Sequence, residues 1–198
     1  MKSQSKEGQD LFAYYLIGEK GTFLDLGCHH PTDNNNSIAL EKLGWNGLCV
    51  DRKTDYSYKG RITPFLCINI NDDDFIEKVD SYFPSSKHID YISMDVDGNS
   101  YTCLEKLLTS GYSFGCMTFE HDDYRQNGRL KIPAKKLLEE YNYEVLFEDV
   151  TTPTTFHDSF VPWEDWWIDS SRFDDTILSL KSKDLSYEEC IKLMEKVI

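Results

Sequence analysis

Two residues frame the chemistry open to this chain: Gly27, after the apolar run Thr22 to Leu26, and Asp51, after Leu48-Cys49-Val50. Both runs read as buried strands, and Gly27 allows a turn that a side chain would obstruct. Between them, Asn36 to Leu43 sets Ile38, Leu40 and Leu43 on one side, as a helix packed on a sheet requires, and Gly44 closes it. An acid at the end of the second strand, one βα unit after a glycine turn, is where nucleoside-binding α/β folds hold ribose hydroxyls. A dinucleotide site needs several glycines so that the backbone can approach a pyrophosphate. Here Gly27 is followed by Cys28, His29, His30 and Pro31, and no Gly-Lys-Ser/Thr P-loop follows a strand. S-adenosyl-L-methionine has ribose hydroxyls but no phosphate, so one glycine and one acid suffice. Free N–H groups at the next helix start could receive its carboxylate, and carbonyls or Asp25 its ammonium.

In open α/β sheets ligands bind outside the carboxyl ends of the strands. The polar residues expected there are Asp25, Gly27, Cys28, His29 and His30, then Asp51, then Asn69 and Asn71. Asp95, Asp97 and Gly98 follow the next strand, and Glu120, His121 and Asp122 the one after it. For the cofactor the candidates are Asp25, Gly27, Cys28, His29, Asp51, Asn69 and Asp95. Asp25 could equally fix the turn. Asp95 and Asp97 alternate with Met94 and Val96, so both carboxylates share one face. They suit the sulfonium or an acceptor hydroxyl, although Asp97 with Asn99 and Ser100 could simply cap the next helix. Methyl transfer to a hydroxyl calls for a base, and His121, set between two acids, is the candidate. Catalysis is therefore assigned to His121, Asp95 and Asp97. His30, Glu120, Asp122, Arg125, Glu164 and Trp166 are assigned to the acceptor.

Trp163, Trp166 and Trp167 crowd beside Glu164 and Asp165. Aromatic faces with carboxylates bind sugars, while the same aromatics could fill a core strand. Tyr56, Tyr58, Tyr124 and Arg125 are candidates for a lid. His29, His30, Asp33, Asp95, Asp97 and His121 offer metal-ligand chemistry without a zinc-motif spacing, and no metal is assigned.

Three segments carry a resemblance: D-L-G-C-H-H-P from Asp25, N-S-I-A-L-E-K-L-G-W-N-G-L-C-V-D ending at Asp51, and I-D-Y-I-S-M-D-V-D-G ending at Gly98. Together they resemble FkbM-type S-adenosylmethionine-dependent methyltransferases, in order from about Ser3 to Glu120 and more loosely to Trp167. Cys28 stands where that family usually has Ala, Ser37 where it has Thr, and Asp97 where Glu is commoner. The resemblance implies an O-methyltransferase acting on a hydroxyl of a sugar, glycan or small polar metabolite. It also implies a class I methyltransferase fold: α/β, Rossmann-like and doubly wound, with a mostly parallel seven-stranded sheet and helices on both faces. Two rivals stand beside it, a metal-dependent hydrolase using the His/Asp cluster and a catalytically inactive binding module of the same fold.

The elements needed to position these residues are legible in the periodicity. Leu11, Phe12, Tyr15 and Leu16 give an N-terminal helix within residues 1–20, and Ile62 to Ile68 a third strand. Phe75 to Phe83 reads as a helix, Ile89 to Val96 as a strand, Tyr101 to Leu108 as a helix and Cys116 to Phe119 as a strand. Ile132 to Tyr141 is a helix and Tyr143 to Phe147 a strand, and Phe160 to Ile168 suits a last, antiparallel one. Residues 170–198 form a helical extension, in which Ser186 and Glu189 make a capping box. The whole chain reads as one methyltransferase-like domain.

Composition narrows the partners. With 198 residues, 40% hydrophobic and 14% aromatic, the chain can bury a full α/β core. A formal charge of −14 argues against a nucleic-acid substrate, which needs clustered Lys and Arg. No apolar run reaches the roughly 18 residues of a membrane span, and the N-terminus lacks a signal-peptide core. A cytoplasmic location follows, with Cys49, Cys67, Cys103 and Cys116 expected as buried thiols. The acceptor is expected to be a small molecule or glycan. The short chain has no large substrate cap, so acceptor contacts would come from loops or from another subunit of a homo-oligomer.

Overall fold

In chain order the elements are α1 (Gln9–Ile17), β1 (Thr22–Leu26), α2 (Ile38–Leu43), β2 (Asn46–Asp51), β3 (Phe65–Cys67), α3 (Phe75–Tyr82) and β4 (His88–Met94). There follow α4 (Ser100–Thr109), β5 (Ser113–Glu120), α5 (Asp123–Gln126), α6 (Lys131–Glu140), β6 (Tyr143–Thr154), β7 (His157–Asp169), α7 (Asp175–Leu178), β8 (Ser182–Lys183) and α8 (Tyr187–Glu195). The computed structural model describes residues 1–53, 56–154 and 157–197.

The strands form one mixed 8-stranded sheet in the order β3-β2-β1-β4-β5-β7-β6-β8. Strands β1 to β5 are parallel to one another, and β7 runs antiparallel to both β5 and β6. The sheet expected from the sequence had seven strands. The extra one is β8, a short edge strand parallel to β6 at Phe147 and Glu148, within the segment expected to be only helical. Strand order reverses between β1 and β4, which opens a crevice at their carboxyl ends.

β1 occupies the span read from the sequence, whereas the third strand is shorter than expected. Ile62 and Thr63 turn their N–H groups to the Glu41 carboxylate instead of the sheet, at 3.1 and 2.8 Å. Pro64 has no N–H, and Ile62 is exposed. Pairing therefore starts only at Phe65.

Alternation along the strands divides the core in two. Leu24, Leu26, Leu48 and Val50 pack with Phe75, Leu104 and Leu138 on the α3, α4 and α6 face. Phe23, Cys49, Tyr91 and Trp166 pack with Phe12, Leu40, Cys190 and Met194 on the α1, α2 and α8 face. The Ser186–Glu189 capping box forms at the start of α8. Cys49, Cys103 and Cys116 are buried, whereas Cys67 is exposed at the end of the edge strand β3. Among the described residues no helix is long and apolar enough to cross a membrane.

Candidate active site

The turn after β1 is held against two neighbouring strands. Gly27 and Cys28 donate their N–H groups to Val50, at 2.9 and 3.2 Å. Gly27 has φ of +83°, and a Cβ placed on it would lie 1.6 Å from the Asp95 carbonyl oxygen. Only glycine fits there, because the turn and the end of β4 are in backbone contact. The next residues rise to meet β2: the His29 N–H donates to Asp51 Oδ2 at 3.0 Å, and the Lys53 N–H donates to Asp51 Oδ1 at 3.0 Å. Asp51 is thereby aimed along the rim of a crevice of about 280 Å³. Gly27, His29, Asp51, Asn69, Asp95 and Asp97 line it beside the apolar Val50, Ile68 and Ile70. These sequence candidates are brought together.

Asp25, Cys28 and His30 are not among its lining residues. Strand alternation turns Asp25 to the side of Phe23, under α2, where the Ser37 hydroxyl donates to it at 2.7 Å. Burial raises the Asp25 carboxyl to about 6, against the opposing pull of Ser37 and Arg61. The Arg61 guanidinium is enclosed and binds Glu41, the Pro31 carbonyl, Asn35 and Ser37, at 2.8, 2.7, 3.1 and 3.1 Å. This polar knot shapes the loop from beneath and leaves Asp25 a turn-fixing acid. The Cys28 thiol is buried and accepts from the Tyr58 hydroxyl at 3.1 Å. Tyr58 itself stacks on Phe65 at 4.1 Å, so it packs on β3. His30 Nδ1 accepts the Thr32 and Asp33 N–H groups at 3.2 and 2.9 Å, which makes it a loop residue.

Beyond the crevice, acids line up across the strand ends. Met94 is paired with Phe119, so the next register position sets Asp95 beside Glu120, and Glu120 pairs directly with Glu164 on β7. Asp95 is solvent-accessible at the crevice wall but surrounded by protein, whereas Glu120 is 8% exposed. Burial raises the Asp95 carboxyl against the opposing pull of Glu120, and burial, then the Asp95 carboxyl, raises Glu120. Glu164 lies deeper, with Trp166 Nε1 donating to it at 2.6 Å and Gln9 Nε2 at 3.3 Å. Gln9 also donates to Glu7, at 3.3 Å, so the N-terminal segment joins the acidic row. Glu7 and Gln9 could not be read from the sequence, since only the packing of α1 against β7 brings them there. Glu164 and Trp166 were expected to touch an acceptor. Both are buried, and they form a wall behind the row.

Burial, then the charge of Glu7, pushes the Glu164 carboxyl up to about 8. Unfolded, the same group titrates near 4.5, so the folded chain holds an extra proton between those values. The stability this contributes is complete below about pH 4.5 and is lost as the pH rises through 8. A carbon-detected NMR titration should give Glu164 a midpoint near 8; a midpoint near 4.5 would refute the burial argument.

His121 was expected to be the base, and its placement gives it another role. Glu120 and His121 are consecutive, so alternation sends Glu120 to the α1 face and His121 to the α6 face. His121 is fully buried there. Its Nδ1 accepts the Asp123 N–H at 3.1 Å, leaving Nε2 to face Asp165 Oδ1 at 3.3 Å and Asp149 Oδ1 at 3.8 Å. The three ligand atoms lie within 4.8 Å of one another, a spacing that could hold a metal ion. Lys131 already fills that role: its ammonium pairs with Asp149 and lies 3.2 Å from Glu148 and 3.9 Å from Asp165. His29, His30 and Asp33 do not join this cluster. On the other side of the turn, Asp122 is 8% exposed, with Oδ2 held by Arg125 and Oδ1 buried without a partner. Trp163 stacks with Tyr124 at 5.9 Å, with Lys6 over the Trp163 ring at 4.4 Å and Arg125 over the Tyr124 ring at 4.9 Å.

No family model matches the chain, and no curated protein matches it. Solved structures do share its fold. One is the Burkholderia thailandensis 1,6-didemethyltoxoflavin-N1-methyltransferase, solved with bound 1,6-didemethyltoxoflavin and S-adenosylhomocysteine: TM-score 0.53, 10% identity, 81% of this chain and 76% of that one. Another is WbdD, solved with a kinase inhibitor: TM-score 0.55, 14% identity, 82% of this chain but only 40% of that one. At such identities the likeness is one of fold: the chain has the α/β architecture of a methyltransferase of known structure.

Proposed function

We propose that this chain is an S-adenosylmethionine-dependent methyltransferase that modifies a hydroxyl of a sugar or other small polar acceptor. The acceptor class follows the FkbM-type resemblance of the Asp25, Asp51 and Asp95 segments. One observation carries the cofactor reading: the glycine turn and Asp51 wall a single crevice, joined by the His29 N–H on the Asp51 carboxylate. That carboxylate is already oriented and retains lone pairs for two ribose hydroxyls. Ile68 and Ile70 offer apolar surface for an adenine ring, and Asn69 an amide for its edge. The absence of a glycine-rich phosphate cradle also fits a cofactor without phosphates.

The cofactor supplies a methyl carbon activated by a sulfonium. The chain's own part is alignment and proton handling. Asp95, at the crevice wall, can accept a hydroxyl proton, and Glu120 lies beside it across the strand register. His121, with both ring nitrogens engaged on the other face, is replaced in this role by the carboxyl pair. A metal-dependent hydrolase would need the histidines to converge on an open site, and His121 is separated from His29 and His30.

Calorimetric titration with S-adenosylmethionine and S-adenosylhomocysteine tests the reading. Asp51→Ala removes two hydrogen bonds to a charged group, so Kd should rise about 100-fold. Failure of the wild-type chain to bind either molecule would leave only the inactive-module alternative.

A further inference from the structure

We propose that the acceptor carries a protonated amine, held by Asp122 with the neighbouring Glu120 carboxyl. This rests on the methyltransferase reading and names the chemical class its acceptor belongs to. The register places Asp95, Glu120 and Glu164 side by side on three adjacent strands, and Asp122 follows within the same turn. Among the described residues no Lys or Arg forms an ion pair with Asp95, Glu120 or Glu164, and Arg125 takes only one oxygen of Asp122. The other oxygen, Asp122 Oδ1, is buried with no partner. A buried carboxylate oxygen left unpaired is costly, and a ligand N–H would satisfy it.

The cofactor does not account for this charge. Its positive groups would meet the crevice wall at Asp95, whereas Glu120 and Asp122 lie outside the crevice lining. They remain for the second reactant. The adjoining rim is suited to a cation as well, because the Trp163 and Tyr124 rings already carry Lys6 and Arg125 on their faces. A neutral sugar would leave Asp122 Oδ1 without a charge partner; an aminated one would supply it.

The test uses the whole chain saturated with S-adenosylhomocysteine, titrated with glucosamine against glucose and with ethanolamine against ethylene glycol. Each amine should bind about tenfold more tightly than its neutral counterpart. Asp122→Asn should erase that preference while S-adenosylhomocysteine affinity, read in the same calorimeter, stays unchanged and certifies the fold. If neither amine outbinds its neutral partner, the inference is overturned while the methyltransferase reading stands. Magnesium ion alone binding in an Asp122-dependent way would also overturn it, by making the row a cation site. A chain that does not bind S-adenosylhomocysteine would remove both readings.

Discussion

Gly27→Ala is expected to abolish binding of S-adenosylmethionine and its demethylated product and to lower folding stability by about 4 kcal/mol. Two separate costs combine. An alanine at φ of +83° is strained wherever it sits. Its methyl carbon would also stand 1.6 Å from the Asp95 carbonyl oxygen, a backbone atom with no rotamer to escape into. Relief requires the turn and the end of β4 to separate, which moves His29 off Asp51 and Asp95 off Glu120 together. Chemical denaturation and calorimetry report the two effects independently. An alanine variant with unchanged melting temperature and unchanged affinity would show that the turn and β4 are not in contact.

Lys131→Met should cost about 3–5 kcal/mol without touching the crevice. The methionine keeps the apolar stem of the side chain and removes the ammonium with its charge and N–H donors. Asp149 and Asp165 are 6% and 1% exposed, and Lys131 is the cation between them. Their N–H donors do not replace it: Asp165 Oδ1 accepts from the Asp149 N–H at 2.7 Å, which leaves the two carboxylates repelling across the gap. Lys183, 3.2 Å from Asp149, is half exposed and compensates only in part. The expected result is a large drop in the denaturation midpoint with S-adenosylhomocysteine affinity retained at low temperature. Equal loss of affinity would instead tie the α6 face to the cofactor site.

The sequence was legible where one local rule decided the outcome. β1 and the end of β2 follow from apolar runs closed by Gly27 and Asp51, and the final helix follows from its Ser186–Glu189 cap. The crevice was legible for the same reason, since its turn and its acid flank a single βα unit. What escaped depends on partners distant in sequence. His121 looked like a base flanked by acids, but alternation and Lys131, Asp149 and Asp165 assign it to the opposite face. Cys28 and Asp25 have site-like neighbours in sequence, yet the loop folds over them through Arg61, whose reach no periodicity reveals. Ile62 and Thr63 have strand-forming side chains, but Glu41 captures their N–H groups. Glu7 enters the acidic row only because α1 crosses the β7 end of the sheet.

The position of β7 between β5 and β6 has a consequence during synthesis. A growing chain can lay down the five parallel strands in order, but β5 then has one open edge until residues 157–169 emerge and insert. That edge runs through Phe114, Cys116, Met117 and Phe119, all buried in the finished molecule. Until the insertion, a sticky ribbon faces the surrounding medium, which makes the ribosome-bound intermediate a client for chaperones and a seed for aggregation.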